Sequence, residues 1–343
     1  MSSEQDVPAV TQVPSERTVP ADGGADRGSI GAAVRARIGG TAGPPLAFLI
    51  VAVFFTFGTD QFLTTDNVTL ILDQTAPVTI AACAMTMVIL MGGIDLSVGS
   101  ILSLASVLAA VLLRDGRGVV PAIVVAILAG GAVGVLNGVV TVRWAVQPFL
   151  VTLGTLSIAR GLAELVADGA TVPILSDGFV NLFASKVAGI PVSALWMLAA
   201  LVVSQLLLRH TVFGRQIYMI GGNEQSAIQA GVRVKRIKVV VYALSGLLAG
   251  LAGVIVASRL SSGLPGSGVG FELDVIAAVV LGGTGFRGEG GSIVGTLFGA
   301  MTIGAISNGL TLMEVDPFVQ KAITGAIIIG AVVLGSKREA SRR

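Results

Sequence analysis

Ten apolar stretches dominate the chain, at about residues 45–63, 75–92, 97–113, 119–142, 148–167, 190–208, 239–258, 273–284, 291–311 and 317–335. A helix needs about 20 such residues to cross the hydrocarbon core of a bilayer. The expected fold is therefore all-α and polytopic, with about ten transmembrane helices. The eighth stretch, Asp274 to Gly283, is short, and a half-spanning or tilted element is the alternative to a full crossing there. Only 12% of the residues are charged, against roughly 25% in a soluble domain. The 46 glycines and 5% aromatics suit helices that approach one another through small residues. A soluble enzyme, a disordered chain and a nucleic-acid binder are excluded.

Charge placement orients the chain. With the N-terminus inside and ten crossings, Arg114, Arg117, Lys186 and Arg259 fall outside and Arg160 and Lys321 within spans. The other sixteen of the 22 Lys and Arg residues fall inside. That bias follows the positive-inside rule. Residues 1–44 are polar and hold no apolar run, so they read as a disordered cytoplasmic tail and not as a signal peptide. Residues 45–335 form the membrane domain, and 336–343 a basic cytoplasmic tail. Two connections are long: about 168–189 outside and about 209–238 inside. In a protein made otherwise of bare helices, these are the places where a partner is held.

Catalytic chemistry has little to work with. Cys83 stands alone in an apolar run and reads as a small buried hydrophobe. His210, the single histidine, sits among Arg209, Thr211 and Arg215 and reads as a solvated loop residue. No catalytic residue, metal site or bound cofactor is expected. Gly283-Thr-Gly-Phe-Arg-Gly288 imitates a dinucleotide fingerprint, but no second βαβ unit and no ribose-holding acid accompany it. It reads better as a cytoplasmic turn that carries Arg287 and Glu289. No GxxxxGK[ST] motif is present, so the chain carries no P-loop for ATP.

Several polar positions remain as candidates. The turn Met91-Gly-Gly-Ile-Asp-Leu-Ser-Val-Gly-Ser100 follows the second apolar stretch. Its Gly92, Gly93 and Asp95 fit a capped tight turn, or a glycine-hinged turn that touches a cytoplasmic partner. In the long inner loop, Asn223 caps a short helix that Glu224 favours electrostatically and Gly231 ends. Ala227, Ile228 and Ala230 would give that helix a small apolar docking surface. Within the spans, Arg160 and Glu164 lie four residues apart and can pair on one face. Asn137 and Asn308 sit in glycine-rich settings, where they either bond across helices or line a path. Gly246/Gly250 and Gly295/Gly299 are GxxxG packing faces. On the outer side Asp177, Arg259 and Glu272 are candidates for gripping a soluble partner, and in the inner turns Asp95 and Arg287 are expected to approach each other, or a cytoplasmic partner, in one conformational state.

These stretches together resemble a known family. Gly92-Gly-Ile-Asp-Leu-Ser-Val-Gly99, Pro148-Phe-Leu-Val-Thr-Leu-Gly154 with Ala159-Arg-Gly161, Phe213-Gly-Arg215, Ile220-Gly-Gly-Asn-Glu224 and Gly282-Gly-Thr284 are similar to the membrane subunits of ribose-type ABC sugar importers. They occur in order over about residues 45–335. The resemblance implies an ABC importer permease fold in a bacterial plasma membrane and pairing with a second permease copy. It also implies a cytoplasmic ABC ATPase that uses ATP and Mg, and an extracytoplasmic sugar-binding protein. The loop Asn223–Gly231 then corresponds to the coupling helix, although Glu224-Gln-Ser-Ala-Ile-Gln-Ala-Gly231 departs from the common Glu-Ala-Ala-x-x-x-Gly pattern. An ABC permease for a nucleoside or another small polar solute is the alternative within that class, and the rival outside it is an ion-coupled secondary transporter. It needs an ionisable group near the midplane, and Glu164 is the only one that qualifies.

Overall fold

The computed structural model describes residues 42–285 and 290–340. Its helices in chain order are α1 (Gly43–Gly58), α2 (Thr65–Leu90), α3 (Val98–Arg114), α4 (Val119–Trp144), α5 (Pro148–Val166), α6 (Asp177–Ala184), α7 (Val192–His210), α8 (Val212–Gly222), α9 (Glu224–Gln229), α10 (Val234–Leu260), α11 (Phe271–Leu281), α12 (Ile293–Leu312) and α13 (Pro317–Ala340). All ten apolar stretches lie on helices. Among the described residues, α2, α4, α5, α7, α10 and α12 are long and apolar enough to cross a membrane, while α1 and α3 are shorter apolar helices. At 11 residues, α11 is the shortened element that the eighth stretch suggested. Among the described residues, six helices thus have the length and apolarity that a crossing needs.

Both long connections hold more structure than a loop. In the connection at about 168–189, α6 is flanked by two small antiparallel sheets. One pairs β1 (Val172–Pro173) with β4 (Ser262–Gly263), the other β2 (Lys186–Val187) with β3 (Ile190–Pro191). Four two-residue strands are the only departure from an all-α fold among the described residues. In the connection at about 209–238, α8 precedes the expected short helix. Thr211 caps it by accepting the Gly214 N–H at 3.2 Å.

Helix α10 is the hub and packs most extensively on α4, then on α3 and α2. The α4–α10 contact is a seam of glycines. Gly130 faces Gly246, Gly134 faces the Tyr242 carbonyl and Gly138 faces Val239, so a side chain at Gly134 or Gly246 would collide with opposing backbone. Contact this close is what small residues give a helix pair in lipid. A second seam joins α11 to α12, with Gly282 against Gly295 and Gly299 against the Ala278 carbonyl. Polar clamps join α2 to α12. The Asn67 and Asn308 amides exchange two hydrogen bonds of 2.9 Å, and the Thr86 and Thr296 hydroxyls lie 2.7 Å apart.

Pro77 lies inside α2 and cannot donate to the carbonyl four residues earlier. That carbonyl, of Asp73, instead lies 3.4 Å from Arg259 Nη1, and the Asp73 carboxylate accepts from the Ser193 hydroxyl. Two non-helical segments are tucked among the helices. One is the 91–97 turn. The other, 264–270, runs back along α3, where the Gly268 N–H donates to Ser103 Oγ at 2.9 Å and Gly268 packs on Gly99. Irregular backbone within a membrane protein is tolerated where protein surrounds it.

Candidate functional site

The first candidate is the projection formed by α8 and α9. Asn223 Oδ1 accepts the Ser226 N–H at 2.9 Å, which makes it the expected N-cap of α9. The helix ends where Gly231 takes a φ of +82°, with the Val232 N–H returning to the Ala227 carbonyl at 3.0 Å. Ala227 is the buried anchor of α9, whereas Asn223, Glu224, Ile228, Ala230 and Gly231 are exposed. The surface offered to a partner is therefore that exposed set, and the expected docking role of Ala227 becomes one of fixing the helix to the protein. Lys238, one turn into α10, holds Glu224 through both carboxylate oxygens at 2.9 and 2.8 Å. Tyr218 on α8 donates its hydroxyl to the Gly291 carbonyl at 2.9 Å. Burial raises the Tyr218 pKa, so the phenol remains a donor. These two contacts tie the projection to α10 and to the segment leading into α12.

The second candidate is the 91–97 turn, and of the two readings of it the structure matches the capped tight turn. Gly92 adopts a φ of +75° and Gly93 has no room for a side chain beneath Tyr242 and Val88, as a tight turn requires. Asp95, however, is 0% exposed and offers nothing to a cytoplasmic partner in this conformation. Its Oδ1 accepts the Ser97 N–H at 3.0 Å and the Ser97 hydroxyl at 2.6 Å, and its Oδ2 accepts the Ser245 hydroxyl at 2.7 Å. Asn137 Nδ2 donates to Ser97 Oγ at 2.9 Å, and Thr155 donates to Asn137 Oδ1 at 2.6 Å. One connected network thus joins the turn to α4, α5 and α10. No cation pairs with Asp95 among the described residues. A buried ionisable group in such a setting marks a functional position.

The other sequence candidates sort plainly. Asn137 and Asn308 both bond across helices instead of standing open to a path. Arg160 and Glu164 form no ion pair: the only two pairs among the described residues are Arg114–Asp115 and Lys238–Glu224. Glu164 is exposed, so no burial drives the pairing. Asp177 opens α6 and is exposed, as is Arg259, which spends one nitrogen on the Asp73 carbonyl. Glu272 points the other way: its Oε2 is buried without a partner among the described residues, beside Gly99. Cys83 is buried and His210 exposed at the end of α7. Arg287 and Glu289 lie outside the described residues, so the expected approach of Arg287 to Asp95 falls there too. Sequence reasoning missed Ser245, Tyr242, Thr155 and Lys238. No short-range pattern links them to the turn or to α9, and Ser245 lies 150 residues from Asp95.

Comparison with known proteins adds a separate finding. The family described as branched-chain amino acid transport system / permease component matches residues 67–332. The chain is 43% identical to the ribose import permease protein RbsC of Bacillus subtilis over 300 residues, which is 87% of this chain and 93% of that protein. It is 39% identical to the D-allose transport system permease protein AlsC of Escherichia coli, covering 83% and 88% of the two chains. Identity to the L-arabinose ABC transporter permease protein AraH of Azospirillum brasilense is 37%, covering 88% and 89%. No solved structure matches.

Proposed function

The chain belongs to the branched-chain amino acid transport system permease component family, and from that premise we propose that it forms the membrane path of an ATP-driven importer for a monosaccharide. The observation that carries this reading is identity at or near 40%, over most of both chains, to permeases named for ribose, allose and arabinose. Three aldoses share a small polyhydroxylated shape, and that is the solute class proposed here. The protein is a multi-pass membrane protein, of the inner membrane in bacteria, and the charge bias favours both termini in the cytoplasm.

The permease needs partners for this work. A cytoplasmic ATPase binds ATP and Mg and docks on the exposed face of α9 and the end of α8. The Glu224–Lys238 pair supports that assignment, since it makes α9 and α10 move together. An extracytoplasmic binding protein delivers the sugar to the outer face, where exposed Asp177 and Arg259 set encounter and register more than affinity. Glu272 contributes less there than its charge suggests. A second permease copy packs against α5, whose exposed Gly154 and Gly161 have open space over them. The ten-crossing arrangement, with tails at 1–44 and 336–343, completes the proposal. Switching such a machine from 1:99 to 99:1 takes about 5.5 kcal/mol of differential binding, which ATPase closure supplies.

Vesicles holding the permease, its ATPase and its binding protein test the reading. Labelled ribose, allose and arabinose are offered with ATP inside. Uptake of at least one sugar that stops without ATP, and persists after potential and proton gradient are dissipated, is the expected result. Uptake abolished by a protonophore while ATP remains would establish the ion-coupled rival instead.

A further inference from the structure

The two oxygens of Asp95 have different duties. Oδ1 is committed to its own turn through Ser97, and that turn is fixed to α4 and α5 through Asn137 and Thr155. Oδ2 has one partner, the Ser245 hydroxyl on α10. The link to α10 is therefore separable from the lock that holds the turn. Tyr242 lies three residues earlier on α10, on the same face. Its side chain is 2% exposed and its hydroxyl has no hydrogen-bond partner among the described residues. That hydroxyl presses on the same turn: a Cβ on Gly93 would sit 2.5 Å from it. A buried phenol without a partner is rare in a native protein and calls for a reason.

We infer that Asp95 is a two-position latch for α10, holding Ser245 in the conformation described here and accepting the Tyr242 hydroxyl in the transporter's other conformation. The inference rests on the importer reading. Helix α10 begins just beyond α9 and is bound to it by the Glu224–Lys238 pair. A push on α9 toward the membrane moves α10 along its axis and carries Tyr242 toward the carboxylate as Ser245 leaves it. Three residues of helix rise by roughly 4.5 Å, and the longer tyrosine side chain shortens the travel required. The glycine seam on α4 presents no side-chain knobs to such a slide. In each position Oδ2 has one donor, so the two states stay close in energy and a modest push selects between them.

The test uses the assembled importer in nanodiscs, with permease, ATPase and binding protein present. Spin labels are placed at Arg143→Cys and Arg236→Cys, exposed positions near the paired ends of α4 and α10, and labelled permease is diluted so that each transporter holds one labelled copy. The expected result is a label-to-label shift on the order of 3–5 Å between the nucleotide-free and the ATP–vanadate states. In Tyr242→Phe that shift should disappear and ATP-driven uptake should fall about tenfold, the size of one lost hydrogen bond. The nucleotide-free melting temperature should not drop, because no contact of that state is removed. Ser245→Ala should show part of the shift before ATP is added. No shift in the unsubstituted helices overturns the latch, whether or not Tyr242→Phe assembles. So does a Tyr242→Phe transporter that shifts and transports normally. Absence of ATP-dependent uptake before any substitution defeats the importer reading itself, and the latch with it.

Discussion

Helices α4 and α10 have nearly the same mean hydropathy, 2.6 and 2.4 over their most apolar windows, yet 28% of one window and 61% of the other is buried within the protein. By hydropathy both are membrane helices of one kind. What separates them is the arrangement of small residues. Helix α4 concentrates Gly130, Gly134 and Gly138 on the face that meets α10, and turns Val124, Leu128 and Leu136 outward. Helix α10 is met on several sides, by α4, α3 and α2. Apolarity determines that a segment can enter lipid. The spacing of small residues determines which face meets protein, because lipid tails are as apolar as leucine and give no preference of their own.

The most disruptive way to break this contrast is to fill the seam. Gly134→Leu sets a side chain against the Tyr242 carbonyl, and overpacking of this kind costs about 3 kcal/mol or more. A large drop in melting temperature in detergent and in yield of inserted protein is the expected outcome; an unchanged melt would mean that the seam is not structural. Asp95→Ala comes next. It strands the Ser97 and Ser245 donors at roughly 1–3 kcal/mol for each unsatisfied group, a loss that Asp95→Asn should partly restore in the same assay. Glu224→Lys acts on the exposed side. It puts a cation at the positive end of α9 beside Lys238, a local cost of about 0.3–1 kcal/mol. Insertion and melting should stay normal while transport and ATPase coupling decline. Full uptake with unaltered coupling would remove α9 from the docking surface. Smallest of all is Leu153→Ala on the exposed face of α5, expected to move the stability of a separate protomer by less than about 0.5 kcal/mol. A larger loss that appears only at protein concentrations where copies associate would identify that face as the contact between them.

Much of the fold was legible. Each apolar stretch lies on a helix, the brevity of the eighth was visible in Asp274–Gly283, and the Asn223 cap and Gly231 stop follow from local chemistry that sequence records directly. Other features depend on partners far along the chain. Asp95 reads as a cap in a short inner turn, and nothing near it announces that Ser245 will close over it. The Arg160–Glu164 spacing suits a pair, but an exposed helix face gives two long side chains little reason to hold one geometry. Helix α8 was hidden because Thr211-Val-Phe-Gly-Arg215 looks like loop, although its cap was in plain view. The direction of Glu272, inward toward Gly99, follows from how 264–270 runs along α3, and a span count carries no trace of that.

The glycine seam also has a history within each molecule's synthesis. Roughly 90 residues separate the end of α4 at Trp144 from the start of α10 at Val234, and a ribosome adds about 5–20 residues per second. For roughly 5–20 s, then, α4 waits in the membrane with its grooved face against acyl chains and no partner to fill it. During that interval the nascent chain is open to proteases and to wrong neighbours, and a codon change that slows elongation between residues 145 and 233 would lengthen the exposure without altering the finished protein.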